Sequence, residues 1–138
     1  MTNKQKLIED LTPLLKERGY RKQKQTWYRQ GTDLVIVFNI QNSAYDEEGF
    51  YINLGIIIKK LMGEHDGICL TNCQIRQRIS GQNERRTLLT AEKLMKVLDL
   101  WEQWYGNLPG LRQKALEGKL PIESESRAVS FLTTVRLG

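Results

Sequence analysis

Seven polar side chains recur within strand-like sequence that is otherwise apolar, and their types suit recognition of a carboxylate, a phosphate or a peptide group. The row consists of Asn39, Gln41, Tyr51, Asn53, Gln74, Arg76 and Arg78. Exposed sheet faces usually carry Lys, Glu and Thr, whereas asparagine is depleted in strands. The row therefore predicts a binding face on one side of a sheet, centred on Asn39, Asn53 and Arg76.

The pairing register of two strands would bring the amides of this row together. Side chains alternate between the two faces of a strand, so polar residues two positions apart share a face. If the two strands pair as a hairpin about Asp46, Asn39 lies opposite Asn53. The same register places Gln41 opposite Tyr51. A buried amide or guanidinium left unpaired costs about 1–3 kcal/mol, so such groups either satisfy one another or line an open cleft.

Gly55 belongs to the same row and would lower the floor of this face, which would let a ligand or another backbone approach. Two interpretations of the row stay open. It is a recognition face, or it is the solvated face of an antiparallel sheet, which is polar because water covers it. The first interpretation requires Asn39, Asn53 and Arg76 to be neighbours on one sheet face.

The surrounding sequence predicts the elements that position the row. Leucines at helical spacing predict a first helix, in which Pro13 should produce a kink or a later start near Thr12. Thr90 is a predicted helix cap. The tail of the chain fits the periodicity of a helix as well as that of a strand, and we favour a helix. The predicted helices are 3–18, 90–105, 109–117 and 124–137, and the predicted strands are 20–30, 34–41, 50–59 and 73–79.

These elements predict an α+β fold, in which an antiparallel sheet of four or more strands carries an N-terminal helix and C-terminal helices packed mainly on one face. Phe50, Ile52 and Leu54 define the face that the first two helices cover. The opposite face carries the polar row. With 138 residues, of which 40% are apolar, the chain is expected to form a single domain over 1–138.

Features of targeting and secretion are missing from the sequence. The apolar runs are far shorter than the roughly 20 residues that cross a bilayer, and the charged N-terminus does not resemble a secretory signal. Cys69 and Cys73 are too few for a disulfide framework and fit free thiols in a reducing compartment. The sequence thus predicts a cytoplasmic location without membrane association, and it leaves the oligomeric state open.

One spacing would suit zinc, because His65, Cys69 and Cys73 are four residues apart and would share one face of a helix. Gly63 and Gly67 argue against a helix there. Cys73 belongs to a predicted strand, and a fourth ligand is missing unless a neighbouring acid serves. We therefore predict no metal and no cofactor.

Catalytic residues are not predicted, because no serine or cysteine lies in a recognisable nucleophile motif. Cys73 is expected to point into the core beside Ile75, as buried free cysteines usually do. The acidic residues 46–48 could pair with Arg76 in a small hydrolase. The same residues are typical of a solvated hairpin tip.

A net charge of +5 and two basic clusters make nucleic-acid binding an alternative. The clusters are Arg18, Arg21, Lys22 and Lys24, and then Arg76, Arg78, Arg85 and Arg86. Trp101, Trp104 and Tyr105 would suit a stacking platform for bases, but aromatic residues at helical spacing more often belong to the core. Solvated strand edges and loops explain the basic clusters equally well.

Five segments of the chain follow the order of a known family. They are Gly19-Tyr20 with Lys22 and Lys24, Trp27-Tyr28-Arg29, Asn39-Ile40-Gln41 with Ser43, Phe50-Tyr51-Ile52-Asn53-Leu54-Gly55, and Cys73-Gln74-Ile75-Arg76 with Arg78. Together they resemble the bacterial domain-of-unknown-function family 4304 over roughly 7–79, with a similar helical tail beyond Thr90. The chain departs from that family at Gln74, where histidine is common, and at Asn42, where lysine is usual. The resemblance implies, by analogy, a partner-binding or toxin-immunity role.

The leading hypothesis is a non-enzymatic binding module that captures a protein or peptide partner through the polar row. The alternatives are a nucleic-acid-associated protein and a small hydrolase that uses Arg76 with a nearby acid. A broad shallow face would favour the binding module, and a deep pocket with an ionisable group beside Arg76 would favour the hydrolase.

Overall fold

The computed structural model describes residues 3–44, 49–80 and 90–134. The helices are α1 Asn3–Glu17, α2 Ala91–Tyr105, α3 Leu108–Leu116 and α4 Ser126–Thr133. The strands are β1 Arg21–Gln23, β2 Thr26–Gln30, β3 Leu34–Asn42, β4 Phe50–Ile58, β5 Ile75–Ser80 and β6 Glu123–Ser124. The predicted turn about Asp46, the acidic group 46–48, Arg85 and Arg86 lie outside the described residues.

Within this part of the chain the strands form one six-stranded sheet in the order β1-β2-β3-β4-β5-β6. Every neighbouring pair is antiparallel. The first five strands follow one another as a meander, whereas β6 joins the edge of β5 only after α2 and α3. The predicted α+β fold with an antiparallel sheet is confirmed.

Helix α1 runs through Pro13 and begins well before it, so of the two predicted effects of Pro13 the later start near Thr12 does not occur. Proline removes the hydrogen bond to the carbonyl four residues earlier, here that of Glu9. Both residues are exposed, so water can take the place of the missing bond. At the end of the helix, Gly19 adopts a φ of 88°, and the Tyr20 N–H donates to the Leu15 carbonyl at 3.0 Å.

The predicted strand 20–30 is in fact two strands, β1 and β2, joined by a tight turn at Lys24 and Gln25. Lys24 adopts a left-handed φ of 58°. The Gln25 side chain donates to the Ile40 carbonyl at 2.7 Å, and the Ile40 N–H donates back to the Gln25 carbonyl at 2.9 Å. Neither turn residue is glycine or asparagine, so the usual sequence signal of a hairpin turn is missing.

The main core lies between one face of the sheet and the helices, and we call this face of the sheet the covered face. Phe50, Ile52 and Leu54 point into it, as predicted. The helices contribute fully buried or nearly buried side chains, namely Leu7, Leu11, Leu15, Leu94, Leu98, Trp101, Tyr105, Leu111, Ala128 and Leu132. Trp104, by contrast, is 41% exposed, so only two of the three helix aromatics belong to the core.

A second, smaller apolar cluster lies on the opposite face of the sheet, which we call the open face. Val35, Val37, Ile57 and Cys73 form it, and Met62, Ile68 and Leu70 of the segment 59–72 pack against it. The prediction that Cys73 is buried is confirmed, but its expected place beside Ile75 is wrong, because Ile75 belongs to the main core. Cys73 precedes β5 and its thiol turns to the other side of the sheet.

The C-terminal helices largely agree with the sequence. The Thr90 hydroxyl caps α2 by accepting from the Lys93 N–H at 3.2 Å, as predicted. Helix α3 begins one residue before the expected Pro109, and the predicted tail helix is α4, which follows the short strand β6. Residues 135–137 of that prediction lie outside the described residues. Among the helices of the described chain, none has the length and apolar character needed to cross a membrane.

Candidate functional site

Six of the seven residues of the polar row lie on the open face, and the strand register is the predicted one. Asn39 pairs with Asn53, and Gln41 pairs with Tyr51. On the next strand, Arg78 pairs with Asn53, and Arg76 pairs with Gly55, two positions along β4. Side chains two positions apart share a face, so Arg76 is a diagonal neighbour of Asn53 on the same side. The geometric condition for a recognition face is therefore met.

Hydrogen bonds join the amides of the row into one chain. The Arg78 guanidinium donates to Asn53 Oδ1 at 3.2 Å and to Gln41 Oε1 at 3.0 Å. Asn53 Nδ2 donates to Asn39 Oδ1 at 3.2 Å and to Gln41 Oε1 at 3.1 Å. Asn39 Nδ2 donates to Thr26 Oγ1 at 2.9 Å. Asn53, only 4% exposed, is therefore satisfied at both ends of its amide.

Arg78 sets the direction of this chain. A guanidinium can only donate hydrogen bonds, so the oxygens of Asn53 and Gln41 must face it. The Asn53 amide nitrogen then points to Asn39, which must accept with its own oxygen. Arg78 itself lies over the Tyr51 ring, 4.0 Å from the ring centroid. Tyr51 thus supports the network.

The floor beneath the row is shaped by Gly55 and Cys73. A Cβ atom at position 55 would lie 2.5 Å from the Cys73 sulfur and 3.0 Å from the Cys73 Cβ. The close approach that glycine permits is therefore filled by a side chain of this chain, which corrects the expectation that a ligand or another backbone enters there. Burial raises the pKa of the Cys73 thiol well above its ordinary value, with a smaller contribution from neighbouring Cys69. The thiol is thus held neutral.

A cleft of about 480 Å³ opens beside this floor. Its sheet side is lined by Thr26, Asn39, Gln41, Asn53, Arg76, Arg78 and Glu123. Its other wall consists of Cys69, Leu70 and Thr71. The cleft begins where the small apolar cluster of the open face ends, because Leu70 contributes to both.

Arg76 differs from Arg78 in having no hydrogen-bond or ion-pair acceptor within the described residues. Its side chain is half-buried, and its Nε atom is buried without a hydrogen-bond partner. Glu123 is its pairing partner across β5 and β6, but the two side chains do not form an ion pair. A buried donor that lost its water without gaining an acceptor carries a cost of about 1–3 kcal/mol. Among the described residues that line the cleft, Arg76 is thus the cation that remains available.

Gln74 does not join the rest of the row. It is 1% exposed, and its Oε1 accepts from the Ile58 N–H at 2.6 Å. Because β5 begins only at Ile75, the Gln74 side chain completes the hydrogen bonding at the end of β4. The alternation that placed Gln74 with Arg76 and Arg78 was therefore misleading about its role in the cleft.

Five lining residues have no place in the predicted row: Thr26, Cys69, Leu70, Thr71 and Glu123. Thr26 lies opposite Asn39 in the β2 and β3 register, so a correct prediction of the first hairpin would have found it. The three residues 69–71 lie in and beside a short 3-10 turn with no sequence periodicity. Glu123 belongs to a two-residue strand that is far along the chain from β5.

The suggested zinc spacing does not gather its ligands. His65 is exposed, and Cys69 is half-buried with its sulfur 3.1 Å from the Thr71 hydroxyl. The Cys73 thiol faces the Cys69 carbonyl at 3.5 Å. Across residues 3–44, 49–80 and 90–134, no three His, Cys, Asp or Glu side chains are grouped to hold a metal ion.

The fold and the cleft define a class: an α+β domain with helices on one face of an antiparallel sheet and a polar cleft on the other. The family model described as Domain of unknown function (DUF4304) matches residues 11–108, and the chain belongs to this family. The match extends beyond the segments noted in the sequence, since it includes all of α2. Comparisons with curated proteins and with solved structures give no match.

Proposed function

We propose that this protein is a non-enzymatic binding module that captures a protein or peptide partner through the cleft on its open face. The observation that carries the proposal is a cleft of about 480 Å³ whose polar lining is already joined by hydrogen bonds. Ligand sites typically span about 300–1,000 Å³, and polar groups held in place before binding lose less entropy on capture. The volume of the cleft suits one side chain of the partner, or one end of a peptide chain, together with the adjacent residues.

Pairing of Arg18, one of the four members of the first basic cluster, reduces the positive charge that this cluster can offer to a nucleic acid. Arg18 forms ion pairs with Asp99 and Glu102, and Arg29 lies 3.2 Å from Glu102. Phosphate contacts need basic side chains that are free to exchange counterions for phosphates. Trp101 and its neighbour Tyr105 are buried, which withdraws them from stacking on bases.

Hydrolysis is the second candidate, because Glu123 lines the cleft beside Arg76. No histidine lines the cleft among the described residues, and the Cys73 thiol is held neutral by burial. A hydrolase would depend on Glu123 as acid or base, whereas a binding module would not. Glu123→Gln therefore separates the two candidates, since it should abolish hydrolysis and leave capture intact.

The same proposal places the protein in the bacterial cytoplasm, with toxin immunity as one form that partner capture would take. Cys69 and Cys73 are both free, as expected in a reducing compartment. A toxin gene beside this gene in its genome supports immunity, and a metabolic operon speaks against it.

The proposal is tested by selecting ligands from a random-peptide display library on the immobilised protein. We expect enrichment of related peptides that bind wild type and lose about tenfold or more in affinity, roughly 1.4 kcal/mol, on Arg76→Ala and Asn53→Ala. Gln77→Ala is the matched control, because Gln77 is exposed on the same strand but points away from the cleft. Thermal unfolding verifies that each variant is folded.

Two results would overturn the proposal. The first is selection without any enriched sequence. The second is enrichment of peptides that bind the folded Arg76→Ala variant as tightly as wild type. Asn53 is buried, so Arg76→Ala decides the matter if Asn53→Ala proves unstable.

A further inference from the structure

Each acceptor atom of the amide chain already accepts at least one hydrogen bond. Asn53 Oδ1 accepts from Arg78, and Asn39 Oδ1 accepts from Asn53. Gln41 Oε1 accepts from both Asn53 and Arg78. Thr26 Oγ1 accepts from Asn39. Gln41 Oε1 thus has both lone pairs in use, whereas the oxygens of Asn53, Asn39 and Thr26 can each accept one further bond.

Most of the hydrogen-bonding capacity that the amide chain and Arg76 leave unused is donor capacity. Gln41 Nε2 makes no hydrogen bond within the described residues, and Asn39 Nδ2 uses one of its two hydrogens. The Thr26 hydroxyl accepts once and keeps its own hydrogen to donate. The Arg76 guanidinium adds several donors, of which Nε is buried without a partner. These unused donors favour a ligand that offers hydrogen-bond acceptors.

We infer that the cleft binds a carboxylate group of the captured peptide, with Arg76 as its ionic partner and the free hydrogens of Gln41, Asn39 and Thr26 around it. This inference rests on the proposed function, which it deepens by naming the chemical group that is recognised. Arg and carboxylate pair through two parallel hydrogen bonds, which are stronger than bonds between neutral groups. Such a ligand supplies the acceptor that Arg76 lacks.

Charge in the cleft favours a singly charged carboxylate over a phosphate. Phosphate sites usually combine several free cations or a helix N-terminus. Here Arg78 already donates to Asn53 and Gln41, so within the described part of the chain Arg76 is the cation of the cleft that has no protein acceptor. Glu123, which lies beside Arg76 on the neighbouring strand, would repel a doubly charged phosphate more strongly than a carboxylate. The carboxylate comes from a peptide C-terminus or from an aspartate or glutamate side chain.

The test is a nuclear magnetic resonance titration of the ¹⁵N-labelled full chain with small probes. N-acetylglycine represents a peptide C-terminus, and N-acetylaspartate amide presents a side-chain carboxylate alone. N-acetylglycinamide is the neutral match, and inorganic phosphate is compared at equal ionic strength. We expect saturable shifts of the Arg76 Nε–H and the Asn39 amide with at least one carboxylate. The neutral probe should give none, and phosphate should bind at least tenfold more weakly.

Two variants isolate the role of Arg76. Arg76→Gln should abolish the shifts caused by carboxylate. Arg112→Gln is the matched control, because Arg112 also has a buried Nε without a partner but lies over Phe131, away from the cleft. It removes the same charge and should leave carboxylate binding within twofold of wild type.

The inference is overturned if the neutral amide or phosphate binds as tightly as the carboxylates, if no carboxylate binds, or if Arg76→Gln retains binding. Its failure is distinguishable from failure of the proposed function. Displayed peptides that bind equally well after their carboxylates are amidated would sink the inference and leave the binding module standing. Saturable binding of N-acetylglycine, together with a peptide selection that yields nothing, would refute the binding module and leave carboxylate recognition by the cleft standing.

Discussion

The two faces of the sheet solve different problems with neighbouring residues of the same strands. On the covered face, Ile52 and Leu54 of β4 pack against helices through contacts that have no preferred direction. On the open face, Asn53 between them is held by hydrogen bonds whose donors and acceptors must match. Volume decides which residue fits on the covered face. In the cleft, the directions of hydrogen-bond donors and acceptors decide which residue fits.

Within the open face, Arg76 and Arg78 make the same contrast on a smaller scale. They are two residues apart on β5 and point to the same side of the sheet. Arg78 is committed to Asn53, Gln41 and the Tyr51 ring. Arg76 reaches the cleft with no acceptor among the described residues. Neighbouring cations of one type therefore take different parts, one organising the cleft and the other available to a ligand.

The largest expected effect tests whether the covered face carries most of the stability. Leu98 of α2 is fully buried, so Leu98→Ala should lower the free energy of unfolding by about 2–5 kcal/mol, through lost burial and the remaining cavity. Gln41→Ala on the open face should cost about 1 kcal/mol or less, because Gln41 is exposed to water. Urea denaturation measures both. Equal losses would erase the distinction between the faces.

A smaller effect is expected where a polar side chain serves the backbone. Gln74→Met keeps the volume and removes the acceptor of the buried Ile58 N–H, which should cost about 1–3 kcal/mol. Gln77→Met on the same strand is the control and should change stability by about 0.5 kcal/mol or less, since Gln77 is exposed. Chemical denaturation of both variants checks this. A neutral Gln74→Met would mean that Gln74 belongs with the cleft residues after all.

The smallest effect concerns a polar group on the covered face. Burial, together with the hydrogen bond from the Tyr20 hydroxyl to Glu102 at 2.6 Å, raises the pKa of Tyr20 well above the ordinary phenol value. Above that ordinary value, about pH 10, the unfolded chain loses this proton and the folded chain keeps it. Stability should therefore fall with rising pH, by about 1.4 kcal/mol per pH unit for this group.

Tyr20→Phe removes the titrating group and should flatten that slope. Urea denaturation at a series of alkaline pH values measures it for both proteins, and only the slopes are compared, because the substitution also removes a hydrogen bond. Burial also raises the pKa of Tyr105, so part of the slope should remain in the variant. Identical slopes would show that the Tyr20 hydroxyl is not held in the core.

Much of the open face was predictable because alternation is a local rule. The register of Asn39 with Asn53 follows from the period of a strand and the place of the turn between two long strands. The side of the sheet was wrong for Cys73, and so was the role of Gln74, because both residues precede β5. Outside a strand, successive side chains need not alternate between the two faces. The hairpin at Lys24 was missed since its turn lacks the usual residues, and Thr26 was missed with it.

The sequence by itself determined which residue types could face one another, the α+β class, the Thr90 cap of α2, and the family. These depend on neighbours along the chain, through periodicity and local hydrogen bonding. Only the tertiary structure decided that Arg78 donates to the amides, that Arg76 has no acceptor among the described residues, and that Glu123, far along the chain, pairs with Arg76. Those facts depend on which hydrogen-bond donors meet acceptors in space. Arg76 and Arg78 are the same residue type on one strand, and the acceptors around each of them set them apart.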